Sequence, residues 1–133
     1  MDMIDRSLSP DDAIVWRRFL ERVRHPFKQF EYQVRLGSTC DCEGSIGSKA
    51  ELEWERLTQK RCDVVGYADG FIACIEVKPR MAMSAMGQAL TYAWLFEEEK
   101  RPTLPVEAWV VAGELDAVLA PVYSEFDVVF VVP

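Results

Sequence analysis

Several things are scarce in this chain of 133 residues, and each scarcity closes off a class of function. No apolar run approaches the roughly 18 to 20 residues that a membrane span needs. The first residues, Met-Asp-Met-Ile-Asp-Arg, hold no apolar stretch, so no secretory leader is expected and the expected address is cytoplasmic, with no membrane partner. The single histidine, His25, sits beside Pro26 with no Ser/Asp pattern around it, which leaves a hydrolase triad unsupported. Gly44-Ser45-Ile46-Gly47 lacks the Gly-Lys-Ser/Thr ending of a phosphate loop. Of the four cysteines only Cys40 and Cys42 form a tight pair, whereas structural zinc usually takes two such pairs. Free thiols in a reducing compartment are the simpler expectation. Basic residues are also outnumbered, 15 against 22 acids for a net charge of −7, which argues against a free-standing nucleic-acid binder.

The distribution of charge softens that last exclusion. Residues 16 to 36 carry Arg17, Arg18, Arg22, Arg24, Lys28 and Arg35 against Glu21 and Glu31, while eight acids face two basic residues after Met81. One end is basic and the other acidic, although solvated helix and sheet faces would give the same pattern. Half the residues are hydrophobic and 28% are charged, a globular composition, and the length suits a single domain over residues 1–133.

Ser9-Pro10-Asp11-Asp12 predicts a helix start, with an N-cap serine, proline at the first position and acids in the first turn. Ile14, Val15, Phe19, Leu20 and Val23 follow at helical spacing, and Pro26 places the end near Arg24. From Gln29 to Leu36 the period becomes two, a half-buried strand. Gly37 to Ser48 reads as a Gly/Ser-rich loop, and Lys49 to Gln59 is open between a short helix and an extended lead-in. Ala82 to Glu99 predicts a helix with Met86, Leu90, Ala93, Trp94 and Leu95 as its apolar stripe. Val106 to Ala112 is a strand, Glu114 to Ala120 a short helix, and Phe126 to Val132 a last apolar strand, either buried or a dimer edge. The order α, β, β, β, α, β, α, β implies an α/β fold, a mixed sheet with helices on both faces.

The most informative stretch is residues 61 to 78. Cys62 to Tyr67 and Phe71 to Lys78 are short apolar runs rich in β-branched residues, joined by Ala68-Asp69-Gly70, whose Asp and Gly tolerate a tight reversal. Alternation puts Glu76 and Lys78 on one face with Cys74, and Asp63 with Val65 and Tyr67 on one face of the partner strand. If the register brings Asp63 to the side of Glu76, two carboxylates and an ammonium converge, and Cys62 and Cys74 then face opposite sides. Two carboxylates in one place repel, and a divalent metal would resolve the cost. An isolated Glu-x-Lys is also what a hairpin-end ion pair looks like.

Asp63, Glu76-Val77-Lys78 and Gln88 on the following helix together resemble the PD-(D/E)xK nuclease superfamily, closely over residues 59 to 96 and by element order elsewhere. Cys62 stands where the motif's first letter has proline. The resemblance implies a restriction-endonuclease-like αβββαβ core, here with an extra C-terminal helix and strand. It implies Mg²⁺ or Mn²⁺ held by Asp63, Glu76 and the carbonyl of Val77, with a first-helix Glu added. Glu21 is the natural candidate for that Glu, and Glu31, Glu53 and Glu55 compete. Lys78 would orient or deprotonate the attacking water. Gln88, with Tyr92 one turn on, would approach Lys78 and the phosphate, and Arg61 and Arg80, with Lys60, flank the motif as phosphate contacts. Superfamily members with an iron–sulfur cluster carry cysteines beyond the motif, and none follows Cys74 here.

The resulting expectation is a metal-dependent deoxyribonuclease, structure-selective or directed by a protein partner or by homo-oligomerisation. The Gly/Ser loop and the segment before the hairpin would frame its cleft. Gly87-Gln88-Ala89-Leu90-Thr91-Tyr92 after a Glu-x-Lys-Pro strand is also similar to small nuclease-like proteins of bacteria and their phages. The alternatives are a catalytically silent module of the same fold, for nucleic-acid binding or protein assembly, and a zinc-organised adaptor built on Cys40 and Cys42.

Overall fold

A computed structural model of the chain describes residues 2–37 and 60–133. Most of the Gly/Ser-rich stretch, the segment from Lys49 to Gln59, and with them Cys40, Cys42, Glu53 and Glu55, lie outside the described residues.

The chain opens with a short helix, α1 (Met3–Ser7), capped by the Asp2 carboxylate accepting from the Asp5 N–H at 2.9 Å. Helix α2 (Pro10–Arg22) starts where its sequence signal lies, with Ser9 Oγ accepting from the Asp12 N–H at 3.3 Å. Arg17 ties the two helices together through Asp2 and Asp5, at 2.9 and 2.7 Å. Strands β1 (Gln29–Leu36), β2 (Lys60–Tyr67) and β3 (Ile72–Lys78) form an antiparallel meander. Helix α3 (Met83–Lys100) then crosses over to β4 (Val106–Ala112), parallel to β3. Helix α4 (Ala120–Glu125) leads to β5 (Val128–Val131), parallel to β4. The sheet order is β1-β2-β3-β4-β5, so this is an α/β fold with one mixed five-stranded sheet. β5 is an edge strand whose Val128 is buried and whose Val129 is exposed.

Two apolar cores form, one on each face of the sheet. Trp16 and Phe19 of α2 pack with Val64, Ala73, Ile75, Val77 and Trp109. Ala85, Ala89, Tyr92, Ala93 and Phe96 of α3, with Tyr123 of α4, pack with Leu36, Cys62, Cys74 and Val110. Small alanines let α3 lie close on the sheet, so Trp94, expected on its apolar stripe, is 62% exposed. Ile14 is likewise exposed, and Trp16 takes the inward position on α2. Gly66 has no room for a side chain, because a Cβ there would meet the Phe27 ring at 2.7 Å.

The short helix expected over Glu114 to Ala120 forms later, at Ala120–Glu125. Asp116 Oδ1 accepts from the Val118 and Leu119 N–H groups at 2.9 and 3.1 Å, which fixes a turn in place of helix, and Pro121 sits in the first turn of α4. Tyr123 from α4 is fully buried, and its hydroxyl accepts from the Ala82 N–H at 3.2 Å, pinning the start of α3. Among the described residues no helix is long and apolar enough to cross a membrane.

Candidate active site

Strand β3 stays paired with β4 through Lys78↔Ala112, whereas its pairing with β2 runs only from Tyr67↔Ile72 to Val64↔Ile75. The next pair in that register would be Asp63 with Glu76. There the sheet forks, and side chains take over the backbone hydrogen bonds. The Asp63 N–H donates to Glu76 Oε2 at 3.1 Å, and the Val77 N–H donates to Asp63 Oδ2 at 3.0 Å. The fork is what makes a site: both acids are fixed by backbone donors, at a place where the ladder has opened.

Glu76 is only 2% exposed, and Asp63 is half-buried. Burial, and then the neighbouring Asp63 charge, push the Glu76 carboxyl up to about 8. Burial also raises Asp63, opposed by the Val77 N–H and by Lys78. The Lys78 ammonium lies 4.0 Å from Glu76 Oε1 and is about one-third exposed. Among the described residues Lys78 is the one cation within ion-pairing range of this pair, at its outer limit, which leaves two adjacent carboxylates undercompensated.

A third acid acts on this pair. Asp12, in the first turn of α2, raises both Asp63 and Glu76 through its charge. Glu21, the first-helix candidate by sequence, stands exposed near the opposite end of α2, and Glu31 is exposed on β1. Asp12 was legible in the sequence only as a helix-start signal, and the reach of its charge to the two acids was not. Eight residues of helix, 13 to 20, lie between it and Glu21, and no periodicity says which end of the helix points at the sheet fork.

Tyr92 is nearly buried on α3, and burial together with the Glu76 charge lifts its phenol to about 12. With Gln88, Lys60, Ser84, Gly87 and Thr91 it lines a cavity of about 370 Å³ between α3 and the start of β2. Gln88 is half-exposed in that wall, so the structure brings Gln88 and Tyr92 together in one cavity. Arg61 and Arg80 are exposed, the first two residues before Asp63 and the second two after Lys78.

Cys62 and Cys74 do not face opposite sides. Both are fully buried in the α3-side core, as free thiols, and Cys62 Sγ donates to the Val64 carbonyl at 3.3 Å. The cause is the break at Asp63: Val64 packs on the α2 side while Cys62, two residues earlier, packs on the α3 side. Regular alternation would have put both on one face.

This chain folds like a repair endonuclease. A crystal structure of a repair endonuclease from Pyrococcus abyssi superposes with a TM-score of 0.63 at 18% sequence identity, over 95% of this chain and 48% of that one. The chain thus corresponds to about half the length of that endonuclease. No family model matches the sequence, and no curated protein does. The likeness is one of fold: the mixed sheet with helices on both faces is a restriction-endonuclease-like arrangement.

The donor set at the fork suits a hard divalent cation. Carboxylate and carbonyl oxygens are the usual ligands of Mg²⁺ and Mn²⁺, which keep several waters and need few protein groups. Among the described residues no group of three His, Cys, Asp or Glu side chains is close enough to hold a metal ion, and the oxygens that the fork brings together are those of Asp63 and Glu76. A buried acid pushed up to about 8 beside a second acid is the mark of a place where positive charge is short.

Proposed function

We propose that this chain is a Mg²⁺- or Mn²⁺-dependent nuclease of the PD-(D/E)xK type that hydrolyses DNA phosphodiester bonds. The observation that carries the reading is the sheet fork, where Asp63 and Glu76 lie side by side on backbone donors with Lys78 at 4.0 Å. A fold like that of a repair endonuclease supports it.

Asp63, Glu76 and the Val77 carbonyl would hold the cation. When bound, it supplies an acidified water and neutralises charge on the phosphoryl oxygens. The remaining work falls to the chain's own groups. The Lys78 amine, partly desolvated, orients the attacking water and takes its proton when unprotonated. Gln88 donates to a phosphate oxygen or to the water from the rim of the α3 cavity. Tyr92 keeps its proton at neutral pH and contributes an O–H donor and an aromatic wall. Arg61 and Arg80 contact backbone phosphates on either side. Substrate structure or a protein partner would direct the cut.

The test is cleavage of single-stranded, double-stranded and branched DNA in Mn²⁺ and in Mg²⁺ by wild type and Lys78→Ala. Metal-dependent cutting that falls by about 10² to 10⁴ in the variant is expected. Equal cutting by both proteins overturns the site, and binding without cutting by either selects the catalytically silent module.

A further inference from the structure

One residue in the middle of β1 has a backbone conformation that a strand does not call for. Gln33 has φ of +52°, in the left-handed region that costs a residue with a Cβ and is visited mostly by glycine, asparagine and aspartate. The register between β1 and β2 is unchanged across it, with Tyr32↔Val64 before and Val34↔Cys62 after, and the pair left out of the ladder is Gln33 with Asp63. Both strands change face at this point. Phe30 and Tyr32 pack in the α2-side core, while Val34 and Leu36 pack in the α3-side core. On β2, Val64 and Cys62 divide the same way.

The twist is locked from both ends. Trp16 Nε1 donates to the Tyr32 hydroxyl at 3.1 Å, and the Trp16 ring meets Phe30 edge-on at 5.1 Å. Three residues beyond Gln33, Leu36 is completely buried. Such over-determination is what lets a protein keep a strained residue, and strained residues gather at functional sites. A glycine would satisfy the backbone here at no steric cost. A glutamine adds an amide arm directly across from Asp63, and that arm pulls the Asp63 carboxyl down against the upward push of burial.

We propose that Gln33 is a positioning residue of this site: strained opposite Asp63, its side-chain amide fixes the orientation of the Asp63 carboxylate. The Val77 N–H holds Oδ2 from the β3 side, and Gln33 stands opposite Asp63 on the β1 side. Clamped from two strands, the carboxylate keeps one direction for a ligand. Its function in metal binding rests on the nuclease reading above. Groups that orient a ligand in this way typically change metal affinity 10- to 100-fold when removed.

The experiment joins two readouts on purified protein, with Gln33→Gly as the main variant because glycine fits the positive φ. The first is a metal-free double-mutant cycle in urea with Asp63→Asn, which reports whether the two side chains interact. The second is Mn²⁺ affinity by titration calorimetry, for wild type, Gln33→Gly and Gln33→Asn. We expect Gln33→Gly to match or exceed wild type in melting temperature, the cycle to be non-additive by about tenfold in the unfolding constant, and Mn²⁺ to bind about tenfold more weakly. Asn, which tolerates the left-handed region but carries a shorter arm, should bind Mn²⁺ between the two. An additive cycle, or Mn²⁺ binding unchanged in Gln33→Gly, overturns the positioning role. A non-additive cycle in a protein whose wild type binds no Mn²⁺ instead overturns the nuclease reading, and leaves Gln33's hold on Asp63 standing.

Discussion

Glu76 is nearly inaccessible, and it is charged only at a cost. Its carboxyl is pushed from the ordinary value of 4.5 up to about 8, by burial first and by Asp63 second. The folded protein therefore binds this proton more tightly than the unfolded chain does. Between those two values the folded state holds more protons, so stability is full below about pH 4.5 and declines as the pH rises toward 8. Asp63, also raised by burial, adds a change of the same sign. Metal-free protein should lose on the order of a few kcal/mol between pH 5 and pH 8. Glu76→Gln should flatten that dependence and stabilise the metal-free protein at pH 8. Urea unfolding at the two pH values checks this, and a wild type equally stable at both would refute the assignment. A pH optimum for solubility would not bear on it.

At the scale of elements, the critical junction is where β3 ends and the chain turns toward α3. The Gly113 N–H, just past β4, donates to the Lys78 carbonyl at 3.0 Å, and the Met81 N–H donates to the Glu114 carbonyl at 3.1 Å. The exit of β3 is thus zipped to the exit of β4, which sets the height of Lys78 above Glu76. A Cβ on Gly113 would meet the Pro79 carbonyl oxygen at 2.6 Å, and backbone cannot swing aside as a side chain can. Gly113→Ala should therefore cost about 1 to 3 kcal/mol in unfolding experiments. If the nuclease reading holds, it should also lower cleavage by about 10²-fold, because a shift of about an ångström at the catalytic group is enough. A variant with normal cleavage would show that the junction does not position Lys78.

For the molecule as a whole, the electrostatic balance makes a further expectation. The net charge is −7, and three of the acids, Asp12, Asp63 and Glu76, repel one another around the fork. A divalent cation bound there stabilises the folded state by mass action, about 2.7 kcal/mol at a hundred times its dissociation constant. Mn²⁺ should accordingly raise the melting temperature by several degrees, and Asp63→Asn should abolish most of the rise. A rise of the same size in that variant would place the cation elsewhere. The two cores also explain why one mixed sheet suffices for a chain of this length: α2 covers one face, and α3 with Tyr123 covers the other.

Much of this was legible in the sequence. The strands Gln29–Leu36 and Val106–Ala112, the hairpin around Asp69-Gly70 and the start of α2 follow from periodicity, turn chemistry and capping, all local properties of consecutive residues. The Asp63, Glu76 and Lys78 constellation was legible for the same reason, since a hairpin brings its two strands together within one short stretch of chain. Local rules failed where a partner distant in sequence decided the outcome. Close packing of the α3 alanines on the sheet sent Trp94 outward, whereas the turn at Asp116 is itself local, made by side-chain hydrogen bonds to Val118 and Leu119. Asp12 and Gln33 lie 51 and 30 residues before Asp63 (63 − 12 and 63 − 33), and only the sheet and the helix packed on it bring them to that carboxylate. The sequence by itself determined that Asp63, Glu76 and Lys78 meet on one hairpin and which elements hold them. The tertiary structure decided where the sheet forks and which side chains clamp the acids, because those depend on long-range packing that overrides alternation.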